Sequence, residues 1–501
     1  MPISLPAMKQ CILTVLLFGT LCSQGQDLQP KREFRAAWVA TVGNIDWPSK
    51  QGLDAETQKA EFRALLQRCL QNHLNALIVQ IRPAADALYN SPYENWSRYL
   101  SGKQGQPPTP YYDPLEFIIE ECHAHCVEFH AWFNPYRALV DANKNLHTRD
   151  HITWQHPEWF VNYGGKRYFN PGLPEVRDYF IRVVLDVVKR YDIDAVHFDD
   201  YFYPYRIAGQ EFGDAAAFAR YGNGMSKDNW RRNNVDVLIE ELSRKIKAEK
   251  AWVKFGISPF GVWRNDKKDP EGSHTTAGQT NYDDLYADVL LWMKKKWIDY
   301  ILPQLYWENG HRAADYAELL RWWSEHRYGR HLYIGHGLYQ VGNSAKACWN
   351  SMNEIELQVE EARKNKNVQG SAYYSSNAFK KNLCGLNYSM QYGINIYRAL
   401  LPVMNWLDTL APDAPVMNPA QKSAGHTVLT WKAPAASKEA LQYAVYRFPA
   451  GVSPTRLRAE YLLQVVRGNR YEDEQEGHWT YAVTALDRLH NESALSNEVH
   501  N

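Results

Sequence analysis

Between residues 34 and 400 the apolar positions fall into two alternating patterns. One is a set of short runs rich in β-branched and aromatic residues. The other is a set of longer runs in which apolar positions recur every three or four residues. The short runs lie at 34–41, 75–83, 128–136, 194–202, 252–261, 299–307, 332–340 and 368–376. A representative long run carries Val176, Tyr179, Phe180, Val183, Val184, Val187, Val188 and Tyr191, a stripe along one face of an amphipathic helix. Eight strand–helix units in succession predict an α/β fold, a (β/α)8 TIM barrel with extended loops. A doubly wound sheet would carry a glycine-rich turn after its first strand, and Val42-Gly43-Asn44-Ile45-Asp46-Trp47-Pro48 is not one.

The helical period stops at Leu410-Ala411-Pro412-Asp413-Ala414-Pro415, which reads as a linker. Alternating strand patterns follow at 427–431, 442–447 and 479–485. The barrel is therefore expected at 30–408 and a small all-β domain at 412–501. The strands holding Trp431, Tyr443 and Tyr481-Ala482-Val483-Thr484-Ala485 resemble a fibronectin type III sandwich, with Tyr481 at its tyrosine corner. That resemblance implies a spacer or packing module, since none of these residues is a sugar-site signature.

At the N-terminus, Met8 and Lys9 precede an apolar stretch over 11–21, and Ser23 and Gly25 stand at small-residue spacing before Gln26. This predicts a signal peptide over 1–25 and an exported protein, periplasmic or at the cell surface, because the stretch is too short to span a bilayer. Cys22 offers a lipid-anchor alternative, but the residue before it, Leu21, is larger than lipid-modification sites favour. The remaining Cys69, Cys122, Cys126, Cys348 and Cys384 are odd in number and lack zinc-site pairing, so buried thiols are expected rather than a disulfide framework. Cys122 and Cys126 fall on one face of a predicted helix beside His123 and His125.

Charge narrows the partners. Lys plus Arg and Asp plus Glu both total 56, which leaves no net positive charge for a nucleic acid or an anionic membrane. With 45% apolar and 22% charged residues the chain has a core to bury. Its 18 Trp and 32 Tyr suit either packing around a large barrel or contact with a polysaccharide or other glycan.

Chemistry in such a barrel belongs at the C-terminal strand ends. By strand alternation His197, Asp199 and Tyr201 share a face toward the mouth, with Asp200 adjacent and Tyr203 beyond. Asp199 is the expected nucleophile or charge stabiliser, Glu308 the expected general acid, and Asp200 a third catalytic carboxylate. The expected sugar-binding set is Gln80 and Arg82 from the second strand, Asn134 and Tyr136 from the third, His197 and Tyr203 from the fourth, and Gln304, Tyr306 and Trp307 from the sixth. Asp46 and Asp86 are further carboxylates on the top loops, either of which could replace Glu308. A glycosidase of this kind needs no metal and no cofactor. A metal-dependent hydrolase using His197, His336 and Asp199 is the competing reading, and a noncatalytic carbohydrate-binding protein the third. His130, deeper in its strand, reads as a core histidine.

These residues also carry a family resemblance. Phe34-Arg35-Ala36-Ala37-Trp38-Val39-Ala40-Thr41, Gln80-Ile81-Arg82-Pro83, Asp86-Ala87-Leu88-Tyr89, Trp132-Phe133-Asn134-Pro135-Tyr136, Asn170-Pro171-Gly172, His197-Phe198-Asp199-Asp200-Tyr201-Phe202-Tyr203-Pro204, Ser258-Pro259-Phe260-Gly261 and Pro303-Gln304-Leu305-Tyr306-Trp307 look like the bacterial glycosyl-hydrolase-like family ten barrels. The resemblance covers most of the first 400 residues. It implies an exported glycosidase acting on peptidoglycan glycan strands stripped of their stem peptides.

Overall fold

The computed structural model describes residues 29–142, 147–423, 425–434, 440–452, 454 and 457–501; the expected signal peptide and Cys22 lie outside them. Eight parallel strands close into the expected barrel: β1 (Phe34–Val39), β2 (Ala76–Arg82), β3 (Glu128–Phe133), β4 (Ala195–Phe198), β5 (Lys254–Ile257), β6 (Tyr300–Ile301), β7 (His331–His336) and β8 (Gly370–Tyr373). The ring shuts where β8 pairs with β1, Gly370 opposite Phe34 and Tyr373 opposite Ala37. A helix follows each strand: α1 (Ala55–Gln71), α2 (Pro114–Ala124), α3 (Pro174–Arg190), α4 (Lys227–Glu249), α5 (Val289–Lys294), α6 (Tyr316–Glu325), α7 (Asn353–Lys364) and α8 (Ser376–Lys381). Side chains close several of them at the start. The Asp54 carboxylate accepts the Thr57 amide before α1, Asp113 does the same for Leu115 and Glu116 before α2, and Ser226 for Asn229 before α4. Cys126 falls just past the end of α2, and the five cysteines from Cys69 to Cys384 are free thiols.

Strand alternation divides the core in two. Ala37 and Val39 of β1, Leu77 and Val79 of β2, and Phe129, Ala131 and Phe133 of β3 face the helices. Phe34, Ala36 and Trp38 alternate with them into the barrel, joined there by Ala76, Ile78, Trp132, Ala195, Tyr300 and Ala372. The interior is polar along one line. His197 and His130 both hydrogen-bond the Tyr300 hydroxyl, at 2.9 and 2.8 Å, and His130 reaches Glu128 at 3.0 Å, as expected of a satisfied core histidine. Gly256 makes room for this: a Cβ there would lie 1.9 Å from the Tyr300 ring.

Two strands are shorter than their apolar runs. β4 stops at Phe198 and β6 at Ile301, where Pro303 removes a donor from the ladder, leaving Gln304 in isolated bridges to Phe260 and Gly335. Between β3 and α3 the chain inserts a three-stranded antiparallel sheet of Arg137–Leu139, Lys166–Phe169 and Phe160–Tyr163. Among the described residues no helix is long and apolar enough to cross a membrane.

The C-terminal residues form two four-stranded antiparallel sheets, one centred on His426–Lys432, the other on Gln442–Pro449 and Trp479–Leu486. Trp431, Tyr443, Val445, Tyr481 and Val483 pack between them, and the Tyr481 hydroxyl donates to Asp473 at 2.8 Å. These sheets dock on the bottom of the barrel. Glu492 accepts from Lys31 and Arg32 at 2.7 and 2.8 Å, and His490 inserts beside the buried Glu128 at the start of β3, 2.8 Å from its carboxylate. Lys254 holds the same Glu128 carboxylate. Replacing His490 by Ala removes one partner of this buried charge, so it should destabilise the protein by about 1–3 kcal/mol in chemical denaturation. Unchanged stability would show that the docking contact carries no energy.

Candidate active site

The end of β4 decides the site. With the strand finished at Phe198, alternation no longer separates neighbours, and Asp199 and Asp200 both line one cavity of about 210 Å³. Its other walls are Trp38, Trp132, Tyr201, Tyr205, Gln304, Tyr306, Tyr339 and Tyr374. The two aspartates are only 4% and 3% exposed, so neither has bulk water to dilute its charge.

Each carboxylate has its own donors. Asn134 donates its amide to Asp199, and the Tyr201 backbone N–H approaches it at 3.3 Å. Asn134 is itself aimed by Gln80, whose Nε2 donates to the Asn134 Oδ1 while its Oε1 accepts the Thr41 and Val42 amides at 3.0 and 2.9 Å. On the other carboxylate, Asp200 accepts the Tyr205 hydroxyl. Burial, then the charge of Asp200, push Asp199 up from 3.8 to about 7, against the pull of Arg137 and the two donors. Burial also raises Asp200, opposed by hydrogen bonds from Tyr205 and Gln304. The pair is therefore built to share a proton near neutrality. Arg137, from the inserted sheet, lies 4.2 Å over the Tyr201 ring and biases both aspartates toward ionisation.

Several expected site residues lie elsewhere. Glu308 is not in the cavity; against the upward push of burial, the hydrogen bond from Lys346 at 2.6 Å holds it below the usual carboxylate range, which unfits it as a proton donor. The cause is the early end of β6, which breaks the alternation meant to carry Glu308 inward. Arg82 is turned away as well. A bulge shifts the register between Gln80 and Arg82, and the guanidinium instead grips Glu94 at 2.8 and 2.6 Å, beneath Phe180 in the helix layer. Asp46 ties the loop after β1 to the start of α8, accepting from Ala40 N, Ser375 Oγ and Asn377 N. Asp86 lines a separate cavity of about 30 Å³ with Arg98 and His147, where burial pushes it up to about 6. Tyr136 and Tyr203 are core residues, the latter edge-on to Tyr286 and Phe212, and Trp307 packs on Phe260 outside the cavity lining.

Gln80 and Asn134 act on Asp199 rather than on the open cavity. His197 lies beneath the floor: Trp38 Nε1 points at its Nε2 from 3.4 Å, and burial depresses it well below 6.5, so it is a neutral imidazole. His336 gives its two nitrogens to Gln358 and Ser371. Among the described residues no group of three or more His, Cys, Asp or Glu side chains stands where it could hold a metal ion. Gln304 and Tyr306 are cavity residues, as expected. Trp38, Trp132, Tyr201, Tyr205, Tyr339 and Tyr374 complete the lining beyond the expected sugar-binding set. Trp38 and Trp132 had a readable signal, the even phase of β1 and β3; Tyr205, Tyr339 and Tyr374 sit on loops whose course alternation does not reach.

Residues 33–351 match the family model described as glycosyl hydrolase-like 10. The chain is similar to the glycosyl hydrolase YngK of Bacillus subtilis (strain 168), 45% identical over 93% of each chain. It is also similar to the glycosyl hydrolase DigH of Escherichia coli (strain K12), 37% identical over 64% of this chain and 76% of that one.

Two stability measurements probe the geometry. Arg82→Met strands the Glu94 carboxylate with both side chains at 0% exposure, and should cost about 3–5 kcal/mol, a loss no surface sugar contact would produce. Asp199 binds its proton more tightly folded than unfolded, so its contribution to stability is full below about pH 4 and is lost as pH rises through about 7. Asp199→Asn should therefore be more stable than the native protein by on the order of 2 kcal/mol near pH 8 and show little gain near pH 4. Equal stability at both ends would mean the carboxyl is not raised.

Proposed function

The chain belongs to the glycosyl hydrolase-like 10 family, and from that premise we propose that it is an exported glycoside hydrolase in which Asp199 and Asp200 act as a pair. The observation that carries this reading is the two adjacent carboxylates buried in an aromatic-walled cavity at the C-terminal mouth of the barrel. Their environments supply both roles that glycoside cleavage needs. Asp199, raised to about 7, keeps a proton for the departing oxygen, while Asp200, steadied by Tyr205 and Gln304, supplies negative charge for the oxocarbenium-like centre. The tryptophan and tyrosine walls offer flat apolar faces with polar edges, which suit pyranose rings.

The substrate we propose is the glycan strand of peptidoglycan stripped of its stem peptides, as the family resemblance implies. The apolar stretch at 11–21 supports export to where that polymer is found. The chain from about residue 412 is proposed to be a fibronectin type III-like packing module, supported by its paired antiparallel sheets and buried Trp431 and Tyr481.

Incubation with intact and peptide-free peptidoglycan, beside plant and host polysaccharides, tests the reading by mass spectrometry of the products. Defined sugars should appear from the peptide-free strands; tight binding without release would instead mark a carbohydrate-binding protein. Asp199→Asn and Asp200→Asn should each lower turnover by more than about a hundredfold, while Glu308→Gln should stay within about threefold of the native rate. The rate should also fall as pH rises through about 7, where Asp199 gives up its proton.

A further inference from the structure

Cleavage with an enzymic nucleophile needs two carboxylates facing each other across the anomeric carbon, about 5 Å apart; inversion needs them about 6.5–9.5 Å apart with a water between. This cavity takes both of its carboxylates from one strand end. Asp199 and Asp200 are consecutive residues just past the end of β4, and among the described residues no other carboxylate lines the cavity. The strand opposite β4 in the closed ring is β8, and the chain leaves β8 at Tyr374, whose ring centre is 6.1 Å from that of Tyr339 and 6.0 Å from that of Tyr306. Trp38 stands 6.1 Å from Tyr374 on the same side. Among the described lining residues the far wall is therefore aromatic, with no carboxylate to attack the anomeric carbon. Among the described residues, Asp46, Asp86 and Glu308, the acids that follow β1, β2 and β6, lie outside the lining: Asp46 has both oxygens taken by Ala40, Ser375 and Asn377, Asp86 lines a separate cavity, and Glu308 is held by Lys346.

An attacking group that the described lining does not supply can be brought by the sugar. We propose, resting on the glycosidase reading above, that the site acts on β-linked 2-acetamido-2-deoxy sugars and uses the substrate's own acetamido oxygen as the nucleophile. The acetamido carbonyl oxygen forms a bond to the anomeric carbon as the glycosidic C–O bond breaks. That bond's electron pair leaves on the departing oxygen, which takes the proton of Asp199. The resulting oxazolinium ring is positive, and its N–H donates to the ionised Asp200. Water then adds to the anomeric carbon from the vacated face, its proton passing to Asp199. The ring C–O bond opens to regenerate the acetamide, and configuration is retained. Side-by-side carboxylates suit this division, because the acid and the group holding the N–H address adjacent atoms of one sugar rather than its two faces. The aromatic walls give the acetamido methyl an apolar surround.

The test is a series of aryl 2-acetamido-2-deoxy-β-glycosides, bare and extended as chito-oligosaccharides, with the acetyl group carrying none to three fluorines, beside the matching 2-hydroxy glycosides. Inhibition by the thiazoline analogue of the bicyclic intermediate is read in parallel on peptide-free glycan strands, so a poor aryl substrate does not leave the question open. The expected result is a progressive fall in kcat/KM with each fluorine, at least about a hundredfold overall, with competitive inhibition by the thiazoline and retained anomeric configuration. Cleavage of 2-hydroxy glycosides at comparable rates, indifference to fluorine and thiazoline, or an inverted product would overturn acetamido participation while leaving a glycosidase. Release of no sugar from any glycoside or glycan would remove the glycosidase reading itself, and this inference with it.

Discussion

Two neighbouring carboxylates held out of water cannot both be ionised without strong repulsion, and the top of this barrel is arranged around that constraint. β4 ends one residue before Asp199, so both acids enter one cavity instead of pointing to opposite faces of a strand. Burial raises each of them, and their mutual repulsion favours one shared proton over two charges. Four elements then hold the pair in place. The Thr41 and Val42 amides after β1 fix Gln80 in β2, Gln80 fixes Asn134 after β3, and Asn134 holds Asp199 after β4. A relay of this kind costs the cavity none of its own polar surface, and it aims the Asp199 carboxyl.

The polar line continues below the floor. Trp38, which lines the cavity, faces His197; His197 shares the Tyr300 hydroxyl with His130, and His130 meets Glu128 at the bottom of the barrel. There Glu128 is shared by Lys254 and by His490 of the C-terminal sheets. Glu128 stays ionised despite its burial because Lys254, His130 and His490 together outweigh the desolvation. The packing of the C-terminal sheets is thus joined to the barrel's interior by a buried charge, not only by surface ion pairs such as that of Arg488 with Asp192.

Periodicity carried most of the fold. Eight apolar runs separated by helical stripes leave few alternatives to a closed parallel barrel, and the strand starts follow those runs closely. It carried the site only as far as alternation lasts. His197 points into the barrel but lies beneath the cavity floor, Asp199 lies just past the end of β4, Arg82 past a bulge and Glu308 past a proline-shortened strand, and the last two end in ion pairs outside the cavity. Backbone irregularities of one residue leave no trace in a hydropathy pattern, yet each reverses which way the next side chain points. The loop tyrosines were hidden for a related reason: Tyr205, Tyr339 and Tyr374 converge through tertiary contacts that no local spacing records.

Infrared difference spectroscopy across a pH titration reads directly whether the pair holds one proton at neutral pH. The protonated-carboxyl C=O absorption should persist to near neutrality and fade as pH rises through about 7, and Asp199→Asn should remove one carboxyl's share of it, leaving the shares of buried Asp236, also raised to about 7, and of Asp86, raised to about 6. A native protein whose carboxyl bands are all those of ionised groups by about pH 5 would contradict the shared proton.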